Sequence, residues 1–505
     1  MRTFNFDGLF IYDMANNHQG DIEHGLNIID AMGKVTKDTG VRGALKFQFR
    51  QLDTFINPNY KDNRELPHIH RFMSTKLSSE DYAILADAVR KNGMYTICTP
   101  FDEESVDLIR NLGIEVIKIA SCSADDWPLI ECIAATRLPI VVDTAGLMMN
   151  QIDKLVSFLE YNYINFALMH CVALYPTPED KLELNMIRWF KNRYPHIPIG
   201  FSTHENPDNY TAIQVAYAKG VRLFERHVGI ESKEYKLNKY SSCPEQVQAW
   251  IRSYKQAVEM CGGDEIFPSY SEEIDLLRSL KRGVFAKREI QKGEKIKRDD
   301  VFFAMPLLEG QLQSGHWSDG LVAEKGYIQN EPVSSALAET KRVDKDMILK
   351  EIMLQIKGIL NNARIFVNKN SVIEISHHYG LDRFREYGAV IITCIDRVYC
   401  KKLVIQLPRQ KHPYHFHKKK EETFQLLYGD IEIVLDGRKM KLNVGDTFLV
   451  LPNQWHKFHT LDGTVFEEVS TTHYNDDSFY EDEAIKHIPR EQRKTYISGW
   501  QALKI

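Results

Sequence analysis

Eight short runs of β-branched and apolar residues recur through the first half of the chain, and helically spaced, charged stretches separate them. The runs are Leu9–Ala15, Ala44–Phe49, Tyr95–Pro100, Val116–Ala120, Pro139–Ala145, Ile164–Cys171, Pro198–His204 and Arg222–Gly229. Near-continuous apolar strands alternating with helices predict a parallel sheet covered on both faces. The clearest helical stretch is Ser79–Asn92, with Leu85, Ala86 and Val89 on one face. Eight strand–helix units within about 250 residues predict an α/β fold, a (β/α)8 TIM barrel. The alternative is a doubly wound open sheet. No Gly-x-Gly-x-x-Gly follows the first run, which weakens a dinucleotide-binding reading.

The chain has 505 residues. One hydrophobic core rarely grows beyond about 250–300 residues, so further domains are expected. Leu280–Ala338 is short-stranded and rich in Gly and Lys, and reads as a small β module. Val343–Ala363 has helical spacing and reads as a connecting helix. From residue 364 onward, apolar and polar residues alternate in short strands. Asp436-Gly437 marks a hairpin turn there, because glycine reaches positive φ without steric cost. The expected division is a barrel over 1–275, a small β domain over 276–340, a linker helix over 341–365 and an all-β barrel over 366–505.

Composition narrows the partners. Lys and Arg number 64 against 69 Asp and Glu, a formal charge of −5, which gives no support to nucleic acid or a polybasic membrane contact. No window approaches about 18 uninterrupted apolar residues, so no transmembrane helix is expected. The first residues, MRTFNFDGLFIYDMANN, lack a small-residue cleavage site and do not read as a signal peptide. None of the eight cysteines forms CxxC, and several sit in apolar runs; buried thiols in a reducing cytoplasm are expected.

In such a barrel, chemistry belongs at the C-terminal ends of the strands. Polar residues there interrupt apolar runs: Asp13, Lys46, Gln48, Thr99, Lys118, Ser121, Asp143, His170, Tyr175, Ser202, His204, Glu225 and His227. Buried lysine is rare unless paired, so Lys46 and Lys118 call for anions. Asp13, Asp143 or Glu225 could supply them. So could a phosphate or carboxylate ligand, helped by the Thr99, Ser121 and Ser202 hydroxyls. His204 and His227 end neighbouring strands, where two imidazoles can share a divalent ion with open positions for a substrate.

The stretches NNHQGD, LKFQ, CTPFD, VIKIAS, LMHCVALYPTP, GFSTH and FERHVGI resemble, in order and spacing, the sialic acid synthase family. KRGVFAKREIQKGEKIKRDDVFFAMP is similar to that family's antifreeze-like (SAF) domain. The resemblance implies condensation of phosphoenolpyruvate (PEP) with an open-chain N-acylated amino sugar such as N-acetylmannosamine. The product would be a 2-keto-3-deoxy nonulosonic acid, released with phosphate. It implies a divalent cation, manganese above all, on His204 and His227, and a role for Asp13 beside it. It implies substrate contacts at Lys46, Gln48, Thr99, Lys118, Ser121, Tyr175, Ser202 and Glu225, and a homodimer. Lysines there would offset phosphate and carboxylate charge in a low-dielectric mouth. Departures fall mostly on the acceptor side. Asp13 replaces a common Glu, Ala173 a common Asn, Asp143 a small hydroxyl residue, and Met305 an Arg before Pro306.

The last segment carries His415-Phe-His417, Glu421-Glu422 and Gly429, then Gly445-Asp446, Leu451-Pro452-Asn453 and His456. This resembles both motifs of the cupin family. His415 and His417 share one face of a strand. With Glu422 (Glu421 being the alternative) and His456 they make a donor set suited to Mn, Fe, Ni or Zn. Lys418–Lys420 reads as a solvated loop. Two other functions stay open: a carbohydrate-binding or regulatory cupin protein with a degenerate barrel, and a cupin oxygenase or sugar isomerase.

Overall fold

A computed structural model describes all residues except 1–2, 62–64, 264–269, 337–344, 369, 473, 475 and 500–505. It divides into two compact units, Met1–Ile266 and Phe267–Ile505.

The first unit is a closed parallel barrel with strands in sequential order. The strands are β1 (Leu9–Asp13), β2 (Arg42–Phe49), β3 (Tyr95–Pro100), β4 (Val116–Ile119), β5 (Ile140–Asp143), β6 (Phe166–Cys171), β7 (Ile199–Thr203) and β8 (Leu223–His227). Each falls on one of the eight runs, and β1 pairs with both β2 and β8 to close the ring. The doubly wound alternative is thereby set aside. Helices alternate with the strands. Ser79–Lys91, for example, starts on a reciprocal cap in which Ser78 and Asp81 satisfy each other's backbone N–H.

Side-chain alternation builds the site. Within the barrel, Ile11, Ala44, Ile97, Val116, Val141 and Leu223 form an apolar layer. Two residues further along each strand, on the same face, stand Asp13, Lys46, Thr99, Lys118, Asp143 and Glu225. The strands are therefore apolar where they support the barrel and polar where they open.

In the second unit, strands β9 (Gly283–Ala286), β10 (Lys295–Ile296), β11 (Val301–Ala304) and β12 (Leu321–Val322) form two two-stranded sheets. They enclose a core of their own that includes Val284, Ile296, Val301, Leu312 and Tyr327. A helix follows over Lys345–Asn362; the expected boundary at 340/341 lies outside the described residues.

The remaining strands are β13 (Val372–Ser376), β14 (Ala389–Asp396), β15 (Tyr399–Gln406), β16 (His415–Phe416), β17 (Glu422–Gly429), β18 (Ile431–Leu435), β19 (Arg438–Leu442), β20 (Thr447–Val450), β21 (His456–His459), β22 (Thr464–Thr471), β23 (Phe479–Tyr480) and β24 (Lys494–Ser498). They form a seven-stranded sheet, β20-β17-β22-β15-β14-β13-β24, and a five-stranded sheet, β19-β18-β21-β16-β23. Phe424, Leu426, Ile433, Phe458 and Phe466 belong to one shared core. The Lys345–Asn362 helix contributes Leu349, Ile352 and Ile356 to a second core with Ile373, Val390 and Ile405. The β18–β19 turn has φ of 45° at Asp436 and 84° at Gly437, as the hairpin signal predicts.

All eight cysteines are free. Cys98, Cys171 and Cys400 are buried, but Cys122, Cys261 and Cys394 are exposed, so the expectation of buried thiols holds for only part of the set.

Candidate active site and candidate metal centre

The barrel mouth holds a cavity of about 600 Å³, bordered by Asp13, Lys46, Gln48, Thr99, Ser121, Tyr175, His204, Glu225 and His227 among others. Lys118 and Ser202 are set behind this lining and reach it through Glu225, at 2.6 and 3.4 Å. Of the thirteen polar strand residues named from the sequence, ten line this hollow, Asp143 included, Lys118 and Ser202 stand behind it, and His170 turns away to the Leu182 carbonyl, 2.8 Å off.

Glu225 is the hub. Its Oε1 lies 2.6 Å from Lys46 Nζ and its Oε2 2.6 Å from Lys118 Nζ. Asp13 reaches Lys46 at 3.0 Å and Asp143 reaches Lys118 at 2.9 Å. Ion pairing, one of the two readings of these lysines, is therefore realised, and Glu225 serves the lysines directly. Burial opposes ionisation of Glu225, but the Lys118 and Lys46 ammonium groups outweigh it and hold its pKa well below the usual carboxylate range. Burial likewise opposes the charge on Lys46, and Asp13, Glu225 and Asp143 overcome it, raising its pKa. Asp143 moves the other way: burial first, then the Glu225 charge, raise its pKa against the pull of Lys118. Three carboxylates face two ammonium groups. The Thr99 hydroxyl is buried without a partner, a free donor at the cavity wall.

His204 and His227 stand side by side, ring centroids 5.3 Å apart. The Nδ1 of His204 lies 2.9 Å from the Val172 carbonyl, which can only accept. That bond fixes the proton on Nδ1 and leaves Nε2 as a free lone pair. His227 Nε2 is 3.3 Å from Asp13 Oδ2. Burial, then the neighbouring His227, lower the His204 pKa to about 3; burial also lowers that of His227. Both rings are neutral at pH 7, the form a metal requires. Tyr175 packs on His204 at 4.3 Å and on Tyr240 at 5.1 Å. The two rings thus stand side by side as neutral donors, with Asp13 3.3 Å from His227.

The second centre lies in a cavity of about 410 Å³ in the C-terminal β domain. His415, His417 and His456 present ligand atoms within 4.8 Å of one another. Each Nδ1 bonds a backbone carbonyl, those of Pro413, Asp477 and Gln454, so each Nε2 is free. Glu422 approaches His417 at 3.4 Å and His456 at 3.2 Å. Glu422 Oε2 and His456 Nε2 are buried 3.2 Å from each other, and neither hydrogen-bonds to any further group. Three imidazoles and a carboxylate in this arrangement fit a borderline divalent metal. Asn453 has φ of 66°, the left-handed conformation its cupin position asks for.

The basic run beside this site differs from its expected form. Lys418 and Lys419 are exposed, but Lys420 is buried, bonded to Glu422 and 3.1 Å from Glu468. Asp477 accepts backbone N–H bonds from Lys418, Lys419 and Lys420, which turns the loop and carries Lys420 inward. Lys420, Glu468, and the His378–His412 pair at 3.2 Å belong to the cavity and were missed from the sequence. His412 alone carried a signal, three residues before His415. In the barrel, Arg50, Arg71 and Tyr240 were missed. Arg50 continues the two-residue period of Lys46 and Gln48.

Fold and site together define a barrel enzyme with its polar apparatus at the strand C-termini, joined to a cupin domain. Comparison with known proteins agrees. The NeuB family model matches residues 34–265, and the Cupin domain model matches 402–467. An uncharacterized protein of Methanocaldococcus jannaschii is 30% identical over 292 residues, 57% of this chain and 82% of that protein. The N,N'-diacetyllegionaminic acid synthase of Legionella pneumophila is 24% identical over 310 residues, 59% of this chain and 85% of that one. A crystal structure from Chromobacterium violaceum, named for spore coat polysaccharide biosynthesis protein E, is 44% identical with a TM-score of 0.63, covering 65% of this chain and 98% of its own. The chain belongs to the NeuB family.

Proposed function

We propose that the barrel condenses PEP with an open-chain N-acylated amino sugar, N-acetylmannosamine or a relative, giving a 2-keto-3-deoxy nonulosonic acid and phosphate. One observation carries the reading: Lys46, His204 and His227 line one hollow at the strand C-termini, with Lys118 directly behind it and tied to it through Glu225. Synthase relatives in the family support it.

His204 and His227 would hold the divalent ion, Mn²⁺ in this reading, which when bound supplies Lewis acidity toward the sugar aldehyde. The remaining work falls to the chain. Lys46 and Lys118 offset the charge of PEP, and the unpartnered Thr99 hydroxyl donates to it. Ser121 and Ser202 supply further hydroxyls, Gln48 and Tyr175 line the acceptor's path, and Glu225 keeps both ammonium groups in place. A bond forms between PEP carbon-3 and the aldehyde carbon as the aldehyde C=O π bond opens and its oxygen takes up a proton. Water then adds at carbon-2, the bond from carbon-2 to the phosphate oxygen breaks as the new hydroxyl gives its proton to the departing phosphate, and the ketone and inorganic phosphate leave. Asp13, 3.0 Å from Lys46 and 3.3 Å from His227, is positioned to take the proton of that water.

The same reading assigns 276–340 to an SAF domain, joins it through a linker at 341–365 to a cupin over 366–505, and gives the cupin a second ion (Mn, Fe, Ni or Zn) on His415, His417, Glu422 and His456. It takes the protein as a cytoplasmic homodimer. The test is incubation of the full chain with PEP, Mn²⁺ and a panel of N-acylated hexosamines. Phosphate release is expected with at least one sugar, and release from none by folded, metal-loaded protein refutes the reading.

The excess of carboxylate over ammonium in the cavity favours one competitor, a carbohydrate-binding protein with a degenerate barrel. Calorimetry separates the two, since that protein would bind sugar and not PEP.

A further inference from the structure

Lys46, Gln48 and Arg50 share the inward face of β2 and its continuation. The charge of Lys46 is answered by Asp13 and Glu225, but that of Arg50 is not. Its guanidinium is sandwiched between the rings of Phe101 at 3.7 Å and Phe72 at 4.0 Å. One terminal nitrogen donates to Gln48 Oε1 at 3.0 Å, and Nε is buried with no partner. Among the described residues no carboxylate forms an ion pair with it. Burial lowers its pKa to about 10, so it is still a cation at neutral pH. Arg71, from the helix Pro67–Ser74, lines the same cavity and likewise has no carboxylate partner among the described residues.

The Arg50 segment is held firmly. Phe101 N–H donates to the Phe49 carbonyl at 3.1 Å, and Asp102 accepts from Gln51 N–H at 2.8 Å while capping the next helix through Ser105 N–H at 2.7 Å. A planar guanidinium fixed between two rings, with its Nε–H unbonded, is preorganised for paired oxygens of a carboxylate or phosphate.

Position along the strand says whose oxygens these are. Arg50 lies four residues beyond Lys46, about 13 Å toward the mouth at ~3.3 Å per residue. A three-carbon enol phosphate held at Lys46, in front of Lys118, leaves that outer wall to the acceptor.

We propose that the acceptor sugar carries an anionic group, a carboxylate or a phosphate monoester, that docks on Arg50 and Arg71. This rests on the condensation reading, and the experiment below separates the two. Binding of N-acetylmannosamine, its 6-phosphate and the corresponding 2-acetamido-uronate is measured by calorimetry on the full-length, Mn²⁺-loaded protein, with phosphate release from PEP followed in parallel. The wild type is expected to bind at least one anionic sugar ~30-fold or more tighter than the neutral one, and which of the two it prefers identifies the group. Arg50→Gln and Arg71→Gln should each reduce that preference at least ~10-fold, and Arg50→Lys, which keeps the charge but not the planar fork, should restore part of it. The proposal is overturned if the wild type binds neutral and anionic sugars equally or binds none. It is also overturned if Arg50→Gln raises the KM for PEP while the acceptor preference survives, since Arg50 would then serve PEP. Absence of phosphate release with every sugar would refute the condensation reading alone, because the calorimetric preference still decides the anion site.

Discussion

Lys118 is fully buried, at 0% exposure, between Asp143 at 2.9 Å and Glu225 at 2.6 Å. Lys118→Met keeps all but the last atom's length of the side chain and removes the charge. Glu225 retains Lys46 at 2.6 Å, whereas Asp143 is left without its close cation. Breaking a buried pair by removing one partner costs about 3–5 kcal/mol, and because Glu225 stays paired the expected loss at pH 7 is about 3 kcal/mol. The loss should depend on pH in a definite sense. Asp143 already has its pKa raised above the ordinary 3.8 by burial, and losing Lys118 raises it further. A carboxyl with a raised folded pKa binds a proton on folding, so its penalty is full above that pKa and fades toward 3.8. Protonating such a group recovers part of the loss, so the destabilisation should be smaller at pH 5 than at pH 7. Asp143→Asn in the Lys118→Met background should recover about 2 kcal/mol at pH 7. The assay is hydrogen exchange along a urea titration, read on peptides over Val116–Ile119 and Ile140–Asp143 so that the barrel is followed separately from the cupin. Lys118→Met within about 0.5 kcal/mol of wild type at pH 7, or a larger loss at pH 5 than at pH 7, would show that the ammonium does not hold this cluster together.

Two further outcomes follow from the geometry. A Cβ at Gly200 would run into the Met169 sulfur and stand 2.8 Å from the Leu223 carbonyl, so Gly200→Ala should destabilise the barrel by about 1–3 kcal/mol, measured by the same exchange experiment. Unchanged exchange in β6–β8 would mean that this crowding is relieved at no cost. Glu422→Gln should weaken metal binding at the cupin at least ~10-fold while His204 and His227 keep theirs, visible as loss of one metal equivalent per chain after dialysis against a weak chelator. Retention of the full metal content would exclude Glu422 as a ligand.

How much of this was legible in the sequence depends on the kind of order involved. Period-two placement is local, so the strand runs alone foretold that Asp13, Lys46, Thr99, Lys118 and Glu225 would stand above an apolar layer. The gathering of His415, His417 and His456 was equally legible, because His415 and His417 are two residues apart and Asn453 marks the turn before His456. Pairings between strands were harder to see. That Glu225 would bridge both lysines depends on barrel closure, which brings β8 beside β1 and across from β4, and no spacing encodes it. Lys420 was misread for a related reason. The sequence shows three lysines in a row, and only Asp477, 57 residues away, turns the third one inward.

Arg50 makes the same point from the other side. Its place on the inward face was written in the period Lys46, Gln48, Arg50. Whether its charge would be answered was not, since that depends on which residues of other strands reach it. Asp13, Asp143 and Glu225, the carboxylates of this cavity that make ion pairs, turn toward Lys46 and Lys118, and the guanidinium is left with the Gln48 oxygen and the flanking rings of Phe72 and Phe101. A buried cation flanked by rings is costly to maintain unless something with a negative charge arrives. The imbalance in this cavity, carboxylates in excess at the lysines and a guanidinium without one further out, is therefore better understood as two halves of a substrate pair than as a defect of the fold.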